Sequence, residues 1–264
     1  MDQQKLHELR VFAAEIRLET LKIIGSRGFG HVGGSMSMAD AMAVLYGAVM
    51  NIDPQNPRWE GRDWFVLSKG HGGPVMYATL GLKGYYPIET AYTLNQPGTD
   101  FPSHTDRNKT VGVDLTTGSL GQGMSEAIGD GEADEGQIWE GAQFAAHYQL
   151  DNLICLVDDN KRQLDGAVAD VMSHGKGIGA KFDAFGWNVI NVKDGNDIEQ
   201  IYDALQQACA CKGKPSCLIL NTVKGKGATF AEPSGAHSSQ PTQEQWDEAI
   251  AAAEAALEAV KNEQ

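Results

Sequence analysis

Several common functional classes are excluded by what this sequence has little of. It has four cysteines, Cys155, Cys209, Cys211 and Cys217. They form no CxxC pair and have no histidine at zinc-finger spacing, which argues against a disulfide framework or a structural zinc site. Cys155, inside "LICLV", reads as a small buried apolar residue. Basic charge is also short: 21 Lys and Arg stand against 35 Asp and Glu, giving a net charge of -14 and a pI near 4.8. Phosphate backbones are bound through clustered Lys and Arg, so nucleic acid is not expected as a partner. No run approaches the ~20 apolar residues of a membrane span, and "MDQQKLHELR" lacks the apolar core of a secretory signal. A soluble, cytoplasmic protein without a membrane partner is the default expectation. The nucleotide loop GxxxxGK[ST] does not occur. There is no internal repeat, and "EPSGAHSSQP" is a loop rather than a low-complexity linker.

What is present is ordinary globular material, with 42% hydrophobic and 21% charged residues over 264 positions, enough for a sizeable core. Residues 6–25 place Leu9, Ala13, Ile16, Leu21 and Ile24 on one helical face. "SMSMADAMAVLYGAVM" (35–50) reads as a second, nearly all-apolar helix, buried all round. "DWFVLS" (63–68), "NLICLV" from Asn152, "WNVINV" from Trp187 and "CLILNT" from Cys217 read as strands, with helix-like segments at 136–150, 174–185 and 197–211. Strands alternating with helices of that length predict an α/β fold with an open, mainly parallel sheet and helices on both faces. In such sheets ligands sit at the carboxyl ends of the strands. Thr242 and Gln245 form a possible capping box before an Ala-rich terminal helix.

One stretch, "GDGEADEGQ" (129–137), sets an Asp between two glycines and adds three more carboxylates within five residues. A solvated acidic loop is one reading; a cation site is the other. The strand "NLICLV" runs straight into "DDNKRQLDG", so Asp158, Asp159 and Asn160 fall at a strand's carboxyl end. Asp130 and Asn160 are 30 positions apart, about one strand-helix-strand crossover, so both can reach neighbouring strand ends. Together they offer hard oxygens suited to Mg²⁺ carrying phosphate and water, and the glycines beside Asp130 permit close approach of a diphosphate. Four histidines, His31, His71, His104 and His237, lie in Gly-rich turns, where backbone and ligand can meet. His7, His147 and His174 sit in helix-like contexts and read as structural. Lys224 and Lys226, after the last strand, face either a phosphate or solvent.

The GDG motif followed about thirty residues later by Asn resembles the thiamine diphosphate signature. "GHVGGSMSMADAMAVLY", "LSKGHGGPVMYATLGLKGY", "TTGSLGQGMS", "GDGEADEGQIWEG" and "VDDNKRQLDG" resemble, in that order, the N-terminal half of transketolases, over most of the chain. The resemblance implies thiamine diphosphate and Mg²⁺ (or Ca²⁺ or Mn²⁺ in its place) as cofactors. Asp130, Asn160 and the carbonyl of Arg162 would hold the metal. His71, Gly118, Ser119, Leu120, Gly129, Asp130, Gly131, Glu132, Asn160 and His237 would contact the cofactor. His31, His71, His104 and His237 would be the catalytic histidines, and Glu135 would sit at a subunit interface. The implied reaction moves a two-carbon ketol unit from a phosphorylated ketose to an aldose, with thiamine diphosphate as the electron sink.

The sequence departs from the resemblance in two ways. A full transketolase continues through pyrimidine-binding and C-terminal domains, whereas residues 1–264 read as a single diphosphate-binding domain with helical extensions at both ends. The expected partner is therefore a separate C-terminal transketolase subunit, in an α2β2 heterotetramer with contacts between the diphosphate-binding domains. That partner would also supply most of the arginines that hold sugar phosphates. Alternatives are half of another thiamine diphosphate enzyme, such as a 2-oxoacid dehydrogenase α-type subunit or a deoxyxylulose phosphate synthase fragment, or a scaffolding subunit that has lost its cofactor. Second, "SEAIG" runs directly into "DGEADEG", so about twenty residues that the resemblance implies, including a central strand, are missing. Either residues have been skipped, which the intact flanking motifs favour, or the protein lacks them and cannot bind cofactor normally. In the second case a hole is expected in the sheet, with Asp130 on a helix end. An intact mass set against 28.4 kDa separates the two.

Overall fold

The computed structural model describes residues 1–122 and 127–263. The chain opens with α1 (Gln3–Gly25), whose first turn is capped by the Asp2 carboxylate accepting from the Lys5 amide at 2.7 Å. It continues through α2 (Val32–Met36), α3 (Ala39–Val44) and, after a 3-10 turn at Gly70–Gly72, α4 (Gly73–Leu82). Then come β1 (Ala127–Gly129), α5 (Gly136–His147), β2 (Ile154–Asp158), the short α6 (Val168–Val171), α7 (Ile178–Ala184), β3 (Asn188–Val192), α8 (Ile198–Ala210) and β4 (Ser216–Leu220). The last helix, α9 (Gln243–Lys261), has the capping box expected at Thr242 and Gln245.

The four strands pair in the order β1-β2-β4-β3, all parallel, with register partners Gly129, Asp158 and Leu220 aligned at the carboxyl edge. Strand alternation separates two cores. Leu156, Leu218 and Leu220 pack with α1, α3, α4 and α8, while Cys155, Val157, Cys217 and Ile219 pack with α5 and α7. Helices therefore cover both faces, as the α/β reading requires. A third cluster buries Trp246 of α9 against Leu21 and Ile24 of α1.

Three elements differ from the sequence reading. The helix expected at 35–50 breaks at Ser37 and ends in a π turn, Leu45–Val49. Ser37 is used outside the helix: its hydroxyl donates to Asp158 at 2.7 Å, and its carbonyl accepts from Asn196 at 3.2 Å. At Gly47 a Cβ would lie 2.5 Å from a Leu9 methyl carbon, so glycine is what lets α1 approach there. Residues 63–68 are extended and, among the described residues, joined to β1 by one bridge, Leu67 to Ala127, through Ala127 N–Val66 O and Ser68 N–Ala127 O hydrogen bonds. By hydropathy, residues 32–49 do reach the length of a membrane span, against the expectation that no segment would. Since 83% of them are buried, the core uses that apolarity.

The third difference concerns Asp130. Far from standing on a helix end beside a hole in the sheet, it follows a real strand, because Ala127, Ile128 and Gly129 pair with Leu156, Val157 and Asp158. Ala127 and Ile128 are fully buried on opposite faces. Three residues that looked like a helix end are thus used as the strand that delivers the acidic turn. The remainder of the stretch expected to be helical, 123–126, lies outside the described residues.

Candidate active site

The carboxyl edge of the sheet carries the groups singled out in the sequence. Asp130 is 3% exposed; its Oδ1 accepts from Gly131 N at 2.8 Å and its Oδ2 from Arg162 N at 3.0 Å. The same Arg162 amide also reaches Asn160 Oδ1 at 3.2 Å, so the Asp130 and Asn160 oxygens converge on one point. The Arg162 carbonyl accepts from Lys224 Nζ at 2.8 Å. A carboxylate and an amide oxygen thus meet at Arg162, whose main-chain carbonyl is a further oxygen of the same residue; donors of these kinds suit a hard divalent cation. Burial, and then the neighbouring Asp158 charge, push the Asp130 carboxyl up to about 7. A cation there would relieve both effects.

Beneath this turn lies a buried ion pair. Lys69 and Asp158 are each 1% exposed and in direct contact, and Lys69 also donates to Gly34 O at 2.7 Å. Asp158 accepts further from Ser37, Thr222 and Asn160. Burial alone would raise the Asp158 pKa; the Lys69 charge and the hydrogen bonds from Lys69, Thr222 and Ser37 hold it below the usual carboxylate range.

All four Gly-turn histidines meet. The His31 ring centroid lies 5.5 Å from that of His71, 5.6 Å from that of His104 and 5.5 Å from that of His237, and His71 and His237 are 4.7 Å apart. Burial lowers the pKa of each. The nearby Lys69 adds to this at His71, and Lys224 adds to it at His237, which falls to about 4. The cluster is therefore neutral at pH 7 and can donate and accept hydrogen bonds without carrying charge. Glycine makes the approach possible: a Cβ at Gly34 would stand 3.0 Å from His71 Nε2, and one at Gly118, where φ is +135°, would be 2.9 Å from the His104 ring.

A cavity of about 300 Å³ joins these parts; it is lined by the four histidines, Gly118, Leu120, Gly129 to Glu132, Asn160, Arg162, Lys69 and Lys224. One expected cofactor contact, Ser119, stands apart from it, as does Glu135, which was expected at a subunit interface. Ser119 is exposed and does not line the cavity. Glu135 is exposed at the start of α5, packed beside Gly121. Glu132 lines the cavity, but its carboxylate is taken up by Ser68 Oγ, Gly121 N (2.9 Å) and Gly129 N (3.3 Å), which ties three loops together.

Two functional groups, Lys69 and His174, escaped the sequence reading, and the alternative left open for Lys224 is decided by its burial. Lys69, hidden inside "SKGHGG", and Lys224, only 5% exposed, bring two ammonium groups to the floor of the cavity; Lys226 is half-buried and pairs with Glu232. His174, read as structural, uses Nε2 to hold the Asp130 carbonyl at 3.1 Å, while its Nδ1 lies 3.2 Å from Lys181 Nζ. That arrangement matches the neutral tautomer with the proton on Nε2. No local pattern marks Lys69 or His174, because each partner is distant in sequence.

The family model described as "Transketolase, thiamine diphosphate binding domain" matches residues 9–129 and 126–255. The 6-deoxy-6-sulfo-D-fructose transketolase subunit of Clostridium sp. is 48% identical over 271 positions, covering 95% of this chain and 98% of the relative. One of the subunits of the apulose-4-phosphate transketolase of Phocaeicola vulgatus is 31% identical, covering 98% of each. Among solved structures, the transketolase of Campylobacter jejuni superposes with a TM-score of 0.85 at 27% identity, covering 98% of this chain and 46% of the longer one. The chain thus spans less than half of that single-chain enzyme and nearly all of the two subunit relatives. Because 95% of 264 residues is about 251, twenty positions of the 271-position match find no counterpart here. The two segments matched by the family model meet at 126–129, where the sequence was read as short.

Proposed function

This chain belongs to the transketolase family through its thiamine diphosphate-binding domain, and on that premise we propose that it is the cofactor-anchoring half of a two-subunit transketolase. It would act with a C-terminal partner, in an α2β2 assembly, to move a two-carbon ketol unit from a ketose to an aldose. The meeting of the Asp130 and Asn160 oxygens at the Arg162 amide, with the Arg162 carbonyl held by Lys224 and Lys69 lining the same cavity, carries this reading. The three oxygens would hold Mg²⁺ and the two lysines the diphosphate, so the chain's contribution there is placement. Thiamine diphosphate, when bound, supplies the electron sink for breaking the bond beside the ketose carbonyl.

The neutral histidine cluster would orient the sugar hydroxyls and pass protons among them. Both subunit relatives are named for ketoses with a terminal anionic group, a sulfonate in one and a phosphate in the other. A ketose bearing such a group is the substrate class proposed for this chain. The twenty-position gap supports a second reading, a scaffolding subunit without cofactor. Calorimetric titration of thiamine diphosphate and Mg²⁺ into the chain with its partner separates the two readings. Saturable binding, lost in Asp130→Asn, supports the enzyme. No binding to the intact complex would leave the scaffold.

A further inference from the structure

A second cavity, of about 470 Å³, shares no lining residue with the histidine cavity and has the opposite character to the chain as a whole. Arg58, Arg62, Arg107 and Lys109 line it, against one carboxylate, Asp114. In a chain of net charge -14 this gives a local excess of three positive charges. The single carboxylate is already committed: Asp114 contacts Arg62 and accepts from Phe65 N at 3.0 Å. Arg58, Arg107 and Lys109 are exposed, and among the described residues their side chains make no hydrogen bond or ion pair.

Arg62 is the fixed member. Its side chain is 10% exposed; its Nε donates to Pro57 O at 2.9 Å, and its Nη1 is buried without an acceptor. Its guanidinium lies 4.5 Å from the ring centroid of Trp64, which is 52% exposed at the cavity wall. Guanidinium groups match phosphate oxygens in planar, paired hydrogen bonds, and an exposed indole offers a face to a ring. The volume suits one small molecule. We propose that this cavity is an anion site for a small phosphorylated molecule with a flat ring, held by Arg58, Arg107 and Lys109 and stacked on Trp64.

ADP and inorganic phosphate serve as probes on the full-length chain, followed by tryptophan fluorescence in four proteins: the parent, Arg58→Ser/Arg107→Ser/Lys109→Ser, Trp64→Phe and Lys224→Met. The three cations make no hydrogen bond or ion pair among the described residues, and only Arg107 adds a charge interaction, with Asp114, so the triple variant should melt close to the parent. The expected result is saturable ADP binding, weakened about tenfold or more in the triple variant, unchanged in Lys224→Met, and competed by phosphate. Trp64→Phe should weaken ADP, measured by calorimetry, more than phosphate. Failure to saturate by about 1 mM ADP would overturn the proposal. So would binding that is lost in Lys224→Met but kept in the triple variant, which would put the anion among the histidines. If the triple variant instead loses its partner subunit while ADP never binds, the surface is a protein contact and the proposal falls. None of these outcomes depends on thiamine diphosphate binding.

Discussion

Replacing Lys69 with Met tests whether the floor of the histidine cavity is held electrostatically. Lys69 and Asp158 are each 1% exposed and touch, so removing the ammonium leaves a buried carboxylate without its contacting counter-charge, with only the more distant Lys224 to offset it. Breaking a buried pair on one side costs about 3–5 kcal/mol. With an unfolding entropy of about 2.1 cal/mol/K per residue, the 264-residue chain has ~0.55 kcal/mol/K, and the melting temperature should fall by ~5–9 °C. Asp158→Asn should cost a similar amount, because the lysine then stands alone. Lys69→Met/Asp158→Asn should cost clearly less than the sum, with a coupling of about 2 kcal/mol or more. The residual cost reflects the altered bonds from Ser37 and Thr222. Urea unfolding of the four proteins, followed by far-UV circular dichroism without cofactor, measures the cycle. A Lys69→Met cost below about 1 kcal/mol, or additivity within about 0.5 kcal/mol, would refute the reasoning.

Two pH effects follow from the site. Asp130 titrates near 7 in the fold against 3.8 for a free carboxyl. The folded chain therefore holds this proton more tightly, and stability falls as pH rises from about 4 to 7; Asp130→Asn should flatten that slope. A metal must displace the same proton, so apparent Mg²⁺ affinity should rise about tenfold per pH unit up to about 7 and level off above it, as calorimetry at several pH values will show. His237 moves the other way, with a folded value of about 4 against 6.5. Its contribution is intact above 6.5 and is lost as pH falls towards 4, so His237→Gln should unfold less steeply on acidification than the parent.

Much of the fold was legible because its signals are local. Helical periodicity marked α1, a capping box and Ala-rich composition marked α9, and apolar runs marked β2, β3 and β4 to within a residue or two. β1 was not legible: "AIG" continues an apparently helical "SEAIG", and its identity as a strand depends on pairing with β2 and bridging to Leu67. The break at Ser37 was hidden for the same reason, since Asp158 and Asn196 supply its competing bonds from more than a hundred residues away. In the site, Asp130 and Asn160 could be placed from crossover spacing, and the four histidines from their glycine-rich turns. Lys69 and His174 act through partners 89 and 44 positions distant, a range at which sequence carries no periodic signal, and Lys224, whose partner is 62 positions away, could only be left open between phosphate and solvent.

The anchoring of the Asp130 turn has a dynamic consequence. β1 delivers the turn at Gly129 but holds neither its carboxylate nor its carbonyl. That turn is secured from downstream instead: Arg162 N binds its carboxylate, His174 its carbonyl, and Glu132 folds back on Gly129. Local opening in a protein follows the weakest shared unit rather than chain order. The Asp130 turn should therefore exchange its amide hydrogens in step with the loops after β2 and before α7. A change in those loops will loosen the turn sooner than a change in the chain that leads into it.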